Sequence, residues 1–356
     1  MESALYDPEA GYYFRPEIAL GAQGDFITAP EISFLFGASL ANSIKSVFEF
    51  FEASENPSIL ELGAGSGKLA IDILKNLEKL ESLPDQYFIL ERSGALRKIQ
   101  QENFEKNLSQ NLLAKIIWLE ELPKENNLIG VILSNEVCDA LSVKLFKKNK
   151  NFKNKISELY VNLEKNPPEF IEQEPSENLL EAVQHLELEL GEFPDGYQSE
   201  ICLFLKPWIF SLGNILNKGV MIMIDYGYSR SEYYLPQRSS GTLLCYYQHK
   251  AYGNPLIRIG EQDITAHVDF TRLAEAGLEA GLDLLGYCPQ MMFLADCGIE
   301  QIVSEEENLL NRRNALTQLM HPDLMGEKFK VMGFGKNIEN IESMRGFGLW
   351  DDRHRL

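Results

Sequence analysis

The residues with the clearest chemical use form a glycine loop. Ile59-Leu60-Glu61-Leu62 runs into Gly63-Ala64-Gly65-Ser66-Gly67 and then into a stretch of helical periodicity. Strand, glycine turn and helix in that order let backbone approach a ligand closely and aim unpaired N–H groups at it. The spacing G-x-G-x-G differs from the G-x-G-x-x-G of dinucleotide sites, and Glu61 stands two positions before the first glycine. A carboxylate there repels a pyrophosphate but accepts hydrogen bonds from an ammonium group. A second acid, Glu91, closes the apolar run Tyr87-Phe88-Ile89-Leu90, at roughly the 20-residue distance where an acid receives ribose hydroxyls. The ligand that suits both acids carries an ammonium and a free ribose but no phosphate, as S-adenosyl-L-methionine does. Taken alone, the loop also reads as a plain strand-to-helix turn.

Methyl transfer from a sulfonium is an in-line displacement, so few residue types are obligatory and alignment matters most. The segment Ser134-Asn135-Glu136-Val137-Cys138-Asp139-Ala140-Leu141 follows the fourth apolar strand, and ligands of open α/β sheets bind outside the carboxyl ends of strands. Glu136 and Asp139 share a face if the chain turns helical there, and two carboxylates can grip a guanidinium. Taken singly, Asn135 or Asp139 serves equally well as a helix cap. Asp225-Tyr226-Gly227-Tyr228 places an acid and two phenols at the end of the fifth strand. His249 and His267 are candidate bases, although a lone histidine is more often structural. Cys138 reads better as a small buried hydrophobe than as a nucleophile.

These groups need a scaffold. Apolar residues at three- and four-residue steps predict a helix over 33–51. Strands at 58–62, 87–90, 115–119 and 129–133 alternate with helices at 68–80 and 95–108, which gives βαβ units and a parallel sheet. Residues 143–147 and 156–161 pair around a basic turn, and the Pro- and Glu-rich stretch after them completes an insertion over 143–196. The core resumes with a helix at 208–216 and a strand at 220–224. Edge strands are expected at 242–247 and 282–287, with helices at 270–280 and 305–320. The domain expectation is one enlarged α/β domain: an N-terminal loop and helix segment over 1–57, a Rossmann-like core over 58–142 and 197–290 with helices on both faces, the insertion, and a C-terminal helical segment over 291–356.

Composition narrows the function classes. With 53 acidic against 33 Lys and Arg residues the formal net charge is -20, which disfavours nucleic acid and suits a cationic partner or simple solubility. The five cysteines lack metal-ligand spacing and, being odd in number, disfavour a secreted disulfide scaffold. No apolar run approaches the ~20 residues that span a bilayer, so membrane insertion is not expected. The absence of an Arg-rich transit segment points to bacterial cytoplasm, with the mitochondrial matrix as the alternative for a processed form.

Several segments together resemble the MidA family: Gly24-Asp25-Phe26-Ile27-Thr28-Ala29-Pro30-Glu31-Ile32-Ser33, the loop from Glu61 to Gly67, Asn135 to Leu141, Asp225-Tyr226-Gly227, Gly241 to Tyr247, His267-Val268-Asp269-Phe270 and Met325 to Lys330. The resemblance covers nearly the whole chain. It implies a class I methyltransferase fold with S-adenosyl-L-methionine as cofactor, and a protein arginine methyltransferase that, in mitochondrial members, acts on a core subunit of respiratory complex I and serves its assembly. On that basis Asp25, Thr28, Glu61, Gly63, Gly65, Gly67, Glu91 and Asn135 are expected to hold the donor, while Glu136, Asp139 and Glu200 orient the guanidinium. Family loops often carry a proline and an arginine where Ala64 and Ser66 stand. Members usually have a further segment ahead of the motif resembling Ala4 to Pro8, so Met1 is expected to be a late start or an introduced boundary. A homodimer is a further expectation. Two other functions stay open on sequence alone: a non-catalytic assembly factor using the acidic insertion to bind a client, and, more weakly, a nicotinamide-dependent oxidoreductase.

Overall fold

A computed structural model describes residues 1–15, 25, 27–305, 308–338, 341 and 344–356. Gly24, Phe26 and two residues of the helix expected over 305–320 lie outside them. The central sheet is built from β1 (Ser58–Leu62), β2 (Tyr87–Leu90), β3 (Ile116–Leu119), β4 (Leu128–Asn135), β9 (Leu216–Tyr228), β14 (Asp283–Pro289) and β15 (Phe329–Lys336). They lie side by side in the order β14-β15-β9-β4-β1-β2-β3, with β13 (Val268–Asp269) joined to the end of β9. Strands β3, β2, β1, β4 and β9 run parallel, and β15 and β14 add an antiparallel edge. All five residues of β1 are buried, which is why it reads as an unbroken run rather than an alternation.

Helices cover both faces. Phe34–Phe48 packs on Lys68–Lys79 over the face that carries Ile59, Tyr87 and Val131. Leu205–Ile215 and Phe270–Glu279 cover Leu60, Leu62 and Ile132 on the other. Each fully buried Leu or Ile on these faces contributes about 1.5–3 kcal/mol. The segment after β4 forms its own antiparallel sheet, ordered β7-β6-β5-β8, from β5 (Lys144–Lys148), β6 (Ile156–Asn162), β7 (Glu169–Gln173) and β8 (Gln198–Ile201). Helix Glu177–Leu190 packs on it through Leu179, Val183 and Leu186. Arg230, itself buried, ties this unit to the core by donating to Glu189 at 2.6 Å and Glu275 at 2.8 Å.

Several expectations are corrected. The fifth parallel strand runs from Leu216 to Tyr228, so Asp225 and Tyr226 lie inside it, because β15 pairs with it as far as Tyr226. Residues 242–247 do not edge the central sheet. Their strand β10 (Leu244–Tyr247) instead joins β11 (Lys250–Tyr252) and β12 (Asp263–Thr265) in a separate sheet, on which Leu5 and Tyr12 of the N-terminal segment pack. The strand β15 occupies a stretch expected to be helical. Its Met332-Gly333-Phe334-Gly335 offers little strand patterning, and the Phe347 ring lies where a Cβ on Gly333 would stand. The irregular loop before residue 33 contains one helical turn, Ala29–Ile32.

Candidate functional site

Parallel register brings the chemical groups to one edge of the sheet. Leu62 pairs with Leu90 and with Ser134, and Asn135 pairs with Ile224, so Gly63, Glu91, Asn135, Glu136 and Asp225 follow side by side. The ladder continues past the strands: Gly63 N–H donates to the Leu90 carbonyl at 3.2 Å, and Glu136 N–H to that of Ile224 at 2.9 Å. Successive connections leave β1 and β4 in opposite directions, which opens the crevice that α/β sheets use for ligands.

On the β1 side, Gly63, Gly65 and Gly67 have φ of +62°, +52° and +81°, a left-handed path that side chains disfavour. Among the described residues a Cβ on Gly65 would meet nothing within 4 Å, whereas one on Gly67 would stand 2.6 Å from the Phe104 ring. The loop therefore borders open space at Gly65 and packs against protein at Gly67. Gln100 donates to the Gly65 carbonyl at 3.0 Å and to Glu91 Oε2 at 3.3 Å, joining the loop to the second acid. Glu91 also accepts from Ser93 N–H at 2.9 Å. Ser66 donates its hydroxyl to Glu31, so the glycine loop is tied to the helical turn before residue 33. Neither Gln100 nor Glu31 was foreseen; the sequence signal for Gln100 is its position four residues before Phe104, on the buried face of helix Gly94–Asn107. Glu61 lies within β1, buried, and accepts from Tyr87 Oη at 2.8 Å. Burial pushes its carboxyl up to about 7, and burial likewise raises that of Glu91.

On the β4 side the chain turns sharply rather than forming the helix expected to pair Glu136 with Asp139. Glu136 has φ of +53°, an uncommon conformation for a residue with a side chain and one often stored at functional sites. Asp225 holds the turn by accepting from the N–H groups of Cys138 at 3.0 Å and Asp139 at 3.2 Å. Asp139 is buried; its Oδ2 accepts from Tyr226 Oη at 2.5 Å and its Oδ1 has no hydrogen-bond partner among the described residues. Asn135 donates to Glu136 Oε1 at 3.3 Å, while its own Oδ1 likewise has no partner among the described residues. Burial, then the neighbouring Asp139, pushes Glu136 up to about 8. Asp139 and Asp225 are raised chiefly by burial. Among the described residues none of Glu61, Glu136, Asp139 and Asp225 is paired with a lysine or arginine.

Asp25 and Glu200 have firm local partners. Asp25 accepts from Tyr12 Oη at 2.8 Å and from Gln248 N–H at 2.7 Å, clasping the N-terminal segment to the β10–β11 hairpin. Thr28 precedes the turn Ala29–Ile32 without capping it through its side chain. Glu200, on β8, accepts from Tyr233 Oη at 2.8 Å and from the Thr242 N–H and hydroxyl at 2.8 and 2.6 Å. That network reaches His267, whose N–H donates to Thr242 Oγ1 at 2.9 Å. His267 stacks on Tyr228 and is pushed down to about 4, first by burial, so it is neutral near pH 7. His249 is exposed, and Cys138 is a buried thiol raised well above its ordinary value by burial.

Buried Glu61 and half-buried Glu136 make stability depend on pH. Folded Glu61 and Glu136 keep their protons to about 7 and about 8, against 4.5 ordinarily. A raised folded value means stability present at acid pH and lost as pH rises through the folded value. The melting temperature of the donor-free protein should thus fall as pH rises from about 4.5 to about 8, and Glu136→Gln should flatten the fall. An equal fall in the variant would place the titrating group elsewhere.

The chain matches, over residues 39–288, the model of a family described as "Putative S-adenosyl-L-methionine-dependent methyltransferase". A solved Burkholderia thailandensis protein bound to S-adenosyl-homocysteine is 34% identical, with a TM-score of 0.89 over 100% of this chain and 90% of that one. Protein arginine methyltransferase NDUFAF7 of Homo sapiens is 28% identical over 360 residues, covering 92% of this chain and 77% of the human protein. Its Caenorhabditis elegans homologue is 27% identical over 97% of this chain and 84% of its own length. Both are named as mitochondrial. The fold is thus the class I methyltransferase fold, with S-adenosyl-L-methionine as cofactor. The chain belongs to this family of S-adenosyl-L-methionine-dependent methyltransferases, the MidA family whose motifs its own resemble.

Proposed function

We propose that this protein transfers a methyl group from S-adenosyl-L-methionine to an arginine of a protein substrate. The observation that carries the proposal is the group of carboxylates at the sheet edge, half-buried Glu136 and buried Asp139 foremost, with no lysine or arginine among the described residues paired to them. Removing charge from water is costly unless it is paired, so a cationic acceptor completes the site. The names of the curated relatives supply the arginine.

When bound, the donor supplies an electrophilic methyl on a positively charged sulfur. Gly63, Gly65 and Gly67 give its backbone cradle, and Glu91, held by Gln100 and Ser93, suits the ribose hydroxyls. Glu61 matches the ammonium. Asn135 offers an open acceptor between the two sides, and Asp25 and Thr28 close the site from the N-terminal side. A guanidinium has a pKa above ~12 and is almost never neutral in water. Glu136 and Asp139 therefore orient it through charge-assisted hydrogen bonds and receive the proton released as the N–CH3 bond forms. Glu200, through Thr242 and His267, holds the wall behind them.

Five unpaired thiols fit a reducing compartment, and we place the protein in bacterial cytoplasm, with the mitochondrial matrix of its named relatives as the second location. Among the described residues no helix is long and apolar enough to cross a membrane. The first protein acceptor to try is a subunit of respiratory complex I, the partner that the family resemblance implies. Incubation of the protein with methyl-labelled donor and cell extract should label a protein band, and Gly65→Val should remove the label. Donor binding without any labelled band would turn the assignment to a non-catalytic assembly factor.

A further inference from the structure

Asp263 belongs to none of the groups that the sequence singled out, yet it has the same construction as Asp139. Both aspartates are buried, Asp263 at 2% exposure and Asp139 at 5%. In each, one oxygen is fixed by a tyrosine. Tyr13 Oη donates to Asp263 Oδ1 at 2.9 Å, and the Ile264 N–H falls on the same oxygen at 3.0 Å. Tyr226 Oη donates to Asp139 Oδ2, and Asp139 Oδ1 is buried without a partner among the described residues. The two lie in one neighbourhood. Ala266, just past the strand of Asp263, donates its N–H to the Asp139 carbonyl at 3.0 Å. Tyr6 donates to the Ala140 carbonyl at 3.0 Å and stacks on Tyr13 at 5.6 Å.

We propose that Asp263 is a third carboxylate of the acceptor site, touching the incoming guanidinium with Glu136 and Asp139, and that Tyr13 is its positioning residue. This rests on the arginine reading above. A guanidinium presents five N–H donors in a planar fork, more than two carboxylates that already hold internal hydrogen bonds take up. A third acid approaching from β12 supplies a further acceptor for that fork. The arrangement also explains why the N-terminal segment is packed as it is: Tyr12 and Tyr13 deliver their hydroxyls to Asp25 and Asp263 rather than to solvent. A phenol donor orients a carboxylate without neutralising it, and a bound cation in turn favours the ionised form.

Asp263 is raised to about 7 by burial first and by Asp139 next, while Tyr13 lowers it. The titratable groups that couple to it are Asp25, Glu136 and Asp139 together with Tyr6, Tyr12, Cys245 and Tyr246. No lysine or arginine among the described residues is one of them. A cation binds the ionised form, so removing the Tyr13 hydroxyl moves the pH at which binding is half lost upward.

The test uses the full chain saturated with S-adenosyl-homocysteine and calorimetric titration of the blocked tripeptide acetyl-Gly-Arg-Gly-amide. The expected result is that Asp263→Asn weakens peptide binding at least about fivefold, while S-adenosyl-homocysteine affinity stays within about twofold. Tyr13→Phe should weaken it about twofold to threefold near pH 7, with the midpoint of the binding-against-pH curve displaced upward, a displacement that lost packing alone would not produce. Should Asp263→Asn fail to fold, the Tyr13→Phe curve decides. Peptide binding by wild type with unchanged affinity and pH midpoint in the variants would overturn the role of Asp263 alone. Absence of peptide binding to wild type that binds S-adenosyl-homocysteine would overturn the arginine reading, and this inference with it.

Discussion

Gly65→Val is expected to weaken S-adenosyl-L-methionine binding at least about a hundredfold, ~2.7 kcal/mol, at a stability cost of only about 1–2 kcal/mol. The reasoning rests on where the side chain would go. Among the described residues no neighbour lies within 4 Å of a Cβ on Gly65, so valine fills the space that the loop borders. The stability cost is that of a β-branched residue at φ +52°. Gly67→Val makes the contrasting case, because its Cβ would drive into the Phe104 ring and disturb the core before any ligand is considered. Calorimetry with the donor, beside thermal melts of both variants, separates these outcomes. Tight donor binding by a folded Gly65→Val protein would remove the glycine loop from the site.

Glu136→Gln should do the opposite: donor affinity unchanged within about twofold, and methyl transfer slowed by about 10²–10⁴, the usual worth of a positioned acid or base. Glutamine keeps the shape and tolerates the φ of +53° as glutamate does, so the backbone turn survives. What disappears is the negative charge facing the guanidinium and the capacity to take its proton. The effect should appear as a drop in turnover more than as a loss of acceptor affinity, since Asp139 remains to bind. Single-turnover rates with wild type and variant decide the matter, and unchanged turnover would remove Glu136 from the chemistry.

Much of this site can be read from the chain because parallel strands place their C-terminal residues at one edge. Gly63, Glu91, Asn135 and Asp225 each follow or end an apolar run, and register alone then sets them side by side. What the chain hid was held by tertiary contacts. The pairing of Glu136 with Asp139 depends on a left-handed turn stabilised by Asp225, a residue 86 positions from Asp139. Asp263 sits on a three-residue strand whose significance comes from Tyr13, 250 positions away. No local period announces either contact. The strand β15 was missed for a related reason: Gly333 and Gly335 weaken its pattern, and only its place between β9 and β14, beneath Phe347, makes it a strand.

The central claim is that the buried carboxylates receive an arginine, and the direct measurement is mass spectrometry of the labelled protein band after reaction with isotopically labelled donor. The account predicts one or more added methyl groups on an arginine side chain, present with wild type and absent with Gly65→Val. A labelled methyl on lysine, on a carboxylate or on a small molecule, with arginine unmodified, would contradict it.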